Sequence, residues 1–98
     1  MARWTQPHEI REYGRVLHAF IDAMANSRKL LVIPRQGRPV TGQLDSASTH
    51  QEPTQFPPAY AGEFTLRGDQ GELTTFDILD VKDVFPLFTP QEAAALIP

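Results

Sequence analysis

Residues 37–48 of the 98-residue chain read GRPVTGQLDSAS, and the pattern of this stretch is the main indication of the fold. Val40, Gly42 and Leu44 take alternate positions, which is typical of a β-strand with one face toward a core. A glycine inside a strand usually weakens it, because it has no side chain to pack. We therefore interpret Gly42 as a point where the strand bends sharply and needs backbone room, as strands of small barrels do.

A helix is predicted over residues 7–26, directly before the first strand. Its apolar residues recur at three- and four-residue steps and so form one stripe. They are Ile10, Tyr13, Val16, Leu17, Phe20, Ile21 and Met24. Pro7 suits the first helical turn. Residues 29–37, KLLVIPRQG, then predict a short apolar strand that ends in a turn.

The remaining chain predicts three more strands. Residues 49–59, THQEPTQFPPA, have no periodicity and are interpreted as a loop insertion. Strands are expected over 63–67 and 73–79, joined by GDQG. Alternation then breaks, so the chain must turn near Asp80 and re-enter as a short strand over 81–86.

Thr89, Pro90 and Glu92 form a capping-box pattern, which predicts a short C-terminal helix over 90–97. The whole order is one helix, five short strands and one short helix in a single domain, 1–98. It predicts a mainly β fold with an N-terminal helix. We expect an SH3-like, bent five-stranded antiparallel sheet over 29–86 that forms a small barrel, because closure removes exposed strand edges.

Residues 32–48, VIPRQGRPVTGQLDSAS, resemble the first sequence motif of the Sm-like superfamily, nearest in pattern to the bacterial Sm-like RNA chaperone. The matching residues are Gly37, Val40, Gly42, Gln43, Leu44, Asp45 and Ser46. Residues 81–86, VKDVFP, resemble the second motif, a short final strand ending in proline. The resemblance covers roughly residues 7–86.

The resemblance implies a homo-oligomeric ring of five to seven subunits that binds single-stranded RNA on its faces. Strand four of one subunit, 73–79, would pair with strand five of the next, 81–85. The implied interface residues are Phe76, Ile78, Val81 and Val84.

The sequence departs from the chaperone where the chaperone contacts RNA. Ile78 and Leu79, flanked by Asp77 and Asp80, take the place of a Lys-His pair at the pore. Carboxylates at that place would repel a phosphate backbone. Ile33 replaces an aromatic residue on the opposite face, and isoleucine lacks the flat surface that stacks on a base.

Charge is divided unevenly along the chain. Residues 1–42 carry seven basic and three acidic side chains, whereas residues 43–98 carry two basic and nine acidic ones. The candidate RNA contacts are Arg28, Lys29, Arg35 and Arg38. The alternatives are a solubilising rim, and basic and acidic surfaces that pair between neighbouring subunits.

No pattern of catalytic or cofactor-binding residues is present, so we expect neither an enzyme nor a cofactor. The chain has no cysteine, and His8, His18 and His50 lack zinc-site spacing. Asp77, Asp80 and Asp83 would scatter in a strand-turn-strand, although a ring could gather one carboxylate per subunit around a cation. No signal-peptide core or membrane span is present, so we expect a cytoplasmic protein with no membrane partner.

Two functions follow as hypotheses. In the first, an Sm-like ring binds single-stranded RNA through the basic hairpin. In the second, the same ring is a protein-interaction scaffold, and the EPTQFPPAY segment, 52–60, or the acidic surface meets a protein partner. Residues 57–60, PPAY, match the short proline peptide that WW domains bind, although a rigid loop with a packed tyrosine also explains them.

Overall fold

The computed structural model describes residues 3–27 and 29–88 and has one helix followed by five strands. A 3-10 turn, Pro7–Glu9, leads into helix α1, Ile10–Asn26. The strands are β1 Lys29–Pro34, β2 Val40–Glu52, β3 Ala59–Arg67, β4 Leu73–Asp77 and β5 Val81–Leu87. The predicted N-terminal helix and mainly β, antiparallel architecture are confirmed. The predicted C-terminal helix, 90–97, lies outside the described residues.

The five strands form one antiparallel sheet in the order β4-β3-β2-β1-β5. Within the described residues β4 and β5 each pair on one side only, so the prediction of a closed barrel is wrong. The reason lies at the end of β4, where the backbone enters a 3-10 turn, Ile78–Asp80. Asp77 caps this turn by accepting a hydrogen bond from the Leu79 amide at 2.9 Å. The turn ends β4 after five residues, before the strand reaches β5.

Strand β2 changes partner along its length at the glycine that the sequence singled out. Its first residues, Val40 to Gln43, pair with β1, and it pairs with β3 from Gln43 onward. A Cβ atom on Gly42 would lie 2.7 Å from the carbonyl oxygen of Arg67. Just beyond, the register with β3 shifts at a bulge between Leu44 and Ser46. Bulges bend a strand and increase its twist, so the turning point of the sheet lies here.

The predicted loop over 49–59 is wrong in extent. Strand β2 continues to Glu52 and β3 begins at Ala59, with Glu52 paired to Ala59, so the loop contains only residues 53–58. Side chains 45–51 are exposed on both faces of β2. A strand with two exposed faces has no alternation of polar and apolar residues to reveal it.

Helix α1 covers one face of the sheet and packs mainly against β5 and the 3-10 turn that precedes it. Its buried residues are Tyr13, Val16, Phe20 and Ala23. The ring of Phe20 lies 3.9 Å, centroid to centroid, from that of Phe64 on β3. Two members of the predicted stripe, Ile21 and Met24, lie at its margin and remain exposed. In the described part of the chain, no helix has the length and hydrophobicity to cross a membrane.

Candidate interaction surfaces

The predicted basic residues do not form one cluster. Lys29 begins β1, whereas Arg35 and Arg38 lie in the turn at the other end of that strand. The ammonium group of Lys29 is 3.5 Å from a carboxylate oxygen of Asp69, in the turn between β3 and β4. Arg28 lies outside the described residues. The hairpin therefore presents two separate basic points rather than a continuous track for a phosphate backbone.

Arg35 is bound into the fold on two sides. Its guanidinium donates to Glu12 Oε1 at 2.7 Å and to the carbonyl of Leu79 at 3.1 Å. Its backbone amide donates to the carbonyl of Asp80 at 2.9 Å. These bonds join the end of β1 to α1 and to the turn before β5. Arg35 is therefore a structural residue whose guanidinium is held by Glu12 and Leu79.

Glu12 is the carboxylate that two arginines share. Arg15 donates to Glu12 Oε1 at 2.6 Å and to Oε2 at 3.0 Å, and Arg35 donates to the same Oε1. The hydrogen bond from Arg15, more than that from Arg35, holds the pKa of Glu12 below its ordinary value. Glu12 is therefore ionised at neutral pH and fixes both guanidinium groups.

Arg38 is exposed and makes no ion pair with any described residue. It borders an open groove of about 540 Å³, called here the seam groove. One wall is the turn from Pro34 to Arg38, and the other is formed by Thr75, Phe76, Asp77 and Asp80. The two walls bring opposite charges face to face, which is unlike the uniformly basic surface that binds RNA.

The residues predicted at a subunit interface serve the core of the protomer itself. Ile78, Val81 and Val84 are buried in the cluster beneath α1. Phe76 is half-buried, with its ring 5.6 Å from that of Phe64. The side chains of Ile78, Val81 and Val84 are therefore not available to a neighbour, and subunit pairing through β4 and β5 would rely on Phe76 and on backbone groups.

The backbone edge of β5 is already covered. Arg15 donates to the carbonyl of Lys82, and the amide of Val84 donates to Asp83 Oδ1 at 2.9 Å. Pro86 has no N–H and, on an edge strand, directs its nitrogen outward. Because Val84 lies two residues earlier, its amide points to the same side. Two of the groups that a neighbouring strand would need are thus occupied, and a third is missing.

The acidic residues near the 3-10 turn act within the fold. Asp77 caps the turn and also accepts the backbone amide of Arg3 at 2.8 Å. Asp83 covers the β5 edge, and Asp80 is exposed on the seam groove. Within residues 3–27 and 29–88, no three histidine, aspartate or glutamate side chains come together in a way that could hold a metal ion.

The loop 53–58, called here the hairpin tip, carries the most exposed aromatic residue of the described chain. Phe56 is 98% exposed, and Trp4, 47% exposed, lies across a shared open groove from it. Trp4 is held there because its neighbour Thr5 bonds to β3. The Thr5 amide donates to the carbonyl of Tyr60 at 2.8 Å, and Thr5 Oγ1 accepts the Tyr60 amide at 3.0 Å.

The sequence reasoning missed Trp4, because its place beside the hairpin tip depends on contacts 55 residues apart in sequence. A lone tryptophan just before a helix start was the one available signal. Comparisons with known protein families, with curated proteins and with solved structures give no match to this chain. The Sm-like resemblance therefore rests on the sequence motifs and stays a prediction.

Proposed function

We propose that this chain is a non-catalytic protein-interaction module that docks on a partner protein through the hairpin tip. The observation that carries the proposal is the pair of exposed aromatic side chains, Phe56 and Trp4, on one groove. Aromatic anchors that enter a pocket supply most of the energy of many protein interfaces. Full burial of one such side chain contributes about 1.5–3 kcal/mol.

The tip is built so that little order has to be gained on binding. Pro53, Pro57 and Pro58 restrict the loop backbone, and the paired ends of β2 and β3 hold it in place. Preorganisation of this kind lowers the entropy lost on association. Trp4 is fixed through Thr5 rather than through the loop. The backbone segments that carry Trp4 and Phe56 are thus each held in place.

The charge beside the tip selects the kind of partner. Glu52 closes the hairpin, and the hydroxyl and amide of Thr54 both donate to its carboxylate. The hydroxyl bond, more than the amide bond, lowers the pKa of Glu52, so this group is negative at neutral pH. An apolar pocket with a basic rim on the partner would therefore fit this surface.

The RNA-binding hypothesis has weaker support. It retains Arg38, which has no ion-pair partner in the described part of the chain, but Asp77 and Asp80 face it across the seam groove. The Sm-like ring remains a separate proposal. The two sheet edges, β4 and β5, lie at opposite ends of the sheet, as head-to-tail ring closure requires. For β5 to pair with a neighbouring subunit in such a ring, its hydrogen bonds with Arg15 and Asp83 would first have to break.

A site-specific photo-crosslinker tests the docking proposal. We would place p-benzoylphenylalanine at position 56 and, as a control, at position 21, where Ile21 is 49% exposed on α1. In cells that make the protein, we expect a discrete protein adduct from position 56, none from position 21, and loss of the adduct on Trp4→Ser.

Two outcomes would overturn the proposal. The same adducts from both positions would mean that the tip is not selective. If ribonuclease treatment lowers the mass of the adduct, the partner is RNA, and the RNA-binding hypothesis gains support.

A further inference from the structure

The seam groove follows the edge of a strand rather than the face of the sheet. Thr75, Phe76 and Asp77 are consecutive residues of β4, and all three line the groove. Successive side chains of a strand point to opposite faces. A groove that touches both sets must therefore run along the backbone edge. The only strand beside β4 within the described residues is β3, on the opposite side.

The two edges of the sheet differ in how they are protected. The β5 edge is covered by Arg15, Asp83 and Pro86, as described above. No side chain of the described residues forms a hydrogen bond to the backbone of β4 between Leu73 and Phe76. Uncovered strand edges tend to pair with another strand, and natural proteins usually protect them. Because only the β5 edge is protected, the β4 edge is the one at which another strand can pair.

We propose that β4 accepts an extended peptide segment of a partner protein as an added strand in the seam groove. Backbone groups of the peptide would pair with those of β4, which supplies affinity without sequence specificity. Alternate side chains would lie over Phe76 and Pro34, favouring apolar residues there. Arg38, exposed at the opposite wall, would bind a carboxylate of the peptide.

A single peptide strand suits this groove better than a second copy of the chain. A copy can offer β5, whose edge is covered, or β4, which already carries β3. A strand from a second copy would bring the next strand of its own sheet, which lies about 4.8 Å further from β4. The turn from Pro34 to Arg38 also lines the groove, which favours one strand over two. The proposal is independent of the hairpin tip, because neither Phe56 nor Trp4 lines the seam groove.

The test uses a short probe peptide, Ser-Val-Asp-Val-Thr-Val-Ser, and amide NMR spectra of the full chain. As a matched control, the central valine is replaced by proline, which removes one backbone donor. We expect the probe to shift the amides of Thr74, Thr75 and Phe76 but not that of Phe56, and the control peptide to bind more weakly. Arg38→Ala should weaken probe binding several-fold, because it removes a charge-assisted bond.

Two proline variants distinguish a loss of probe binding from a loss of the folded structure. Amides of adjacent strand residues point to opposite sides, so one of Thr74 and Thr75 donates toward β3 and the other toward the groove. Thr74→Pro and Thr75→Pro are both made, and the one that keeps a folded spectrum should bind the probe about tenfold more weakly.

Three results would overturn the proposal. The first is unchanged probe affinity in the folded proline variant. The second is an absence of β4 shifts at millimolar probe. The third is a dimer of the wild-type chain whose β4 amides are already protected without probe, since this would make a second copy the occupant.

Discussion

Replacing Gly42 with alanine tests the close approach between β2 and β3. The added Cβ would lie 2.7 Å from the Arg67 carbonyl oxygen and 3.2 Å from Leu66 Cβ, whereas ordinary contacts begin at 3.4 Å. The obstacle is backbone, so β2 and β3 must separate by several tenths of an ångström. The φ angle of Gly42 is outside the left-handed region, so alanine can adopt the backbone conformation. The variant therefore introduces steric crowding without backbone strain.

The expected magnitude follows from two opposing effects. Overpacking of this kind costs about 1–3 kcal/mol. The alanine also restricts the unfolded chain, which returns about 0.4–1 kcal/mol. We expect a net loss of about 1–2 kcal/mol, which lowers the midpoint of thermal unfolding by roughly 5–15 °C in a domain of this size.

Urea unfolding followed by circular dichroism measures the difference in unfolding free energy. Gly14→Ala is the matched control, because Gly14 is an exposed helical residue whose added Cβ would meet nothing within 4 Å. That substitution should stabilise the protein by about 0.5–1 kcal/mol. If Gly42→Ala is as stable as wild type while Gly14→Ala behaves as expected, the close approach is wrong.

Two further predictions concern the charges around Glu12. Arg35→Ala should lower the unfolding free energy by about 1 kcal/mol, because it removes hydrogen bonds to Glu12 and Leu79. Arg38→Ala should change it by less than about 0.5 kcal/mol, and equal losses in urea unfolding would contradict the structural role of Arg35. Glu12→Gln should destabilise the protein at neutral pH. The folded-state pKa of Glu12 lies below its ordinary value of 4.5, so its contribution is present above pH 4.5 and is lost as pH falls through the lowered pKa. Unfolding curves between about pH 7 and pH 3 should show wild type and variant converging, and a constant difference would refute the assignment.

The helix and the core strands could be predicted because burial leaves a periodic pattern. Tyr13, Val16 and Phe20 are spaced for one helical face, and all three are buried. Phe64 and Leu66 alternate on β3 and lie in the same core. Such patterns depend only on which residues face away from water, which is a local property of the sequence.

Features without a buried face could not be predicted in this way. The end of β2, up to Glu52, is exposed on both sides and left no alternation to detect. The strand β4 stops at the 3-10 turn, which Asp77 caps by accepting a hydrogen bond from the Leu79 amide. A hydrogen bond of one side chain is not visible in hydrophobic periodicity.

The candidate surfaces depend on long-range contacts. Arg35 was a reasonable candidate for RNA contact until the structure placed Glu12, 23 residues earlier in the chain, against its guanidinium. Trp4 and Phe56 line the same groove because the hydrogen bonds between Thr5 and Tyr60 hold the N-terminal segment against β3. Sequence position shows which side chains are charged or aromatic but not which of them already have partners.

The position of β1 between β2 and β5 has a consequence for the order in which the chain folds. Strands β1, β2, β3 and β4 are sequential neighbours in the sheet, and their pairing closes only short loops. Strand β1 and helix α1 complete their packing only when β5 returns from the far end of the described chain. Closing that long loop costs more chain entropy and sets a slower step. During synthesis, the four-stranded meander β1–β4 can therefore form early, whereas α1 gains its main packing partner only after β5 has been made.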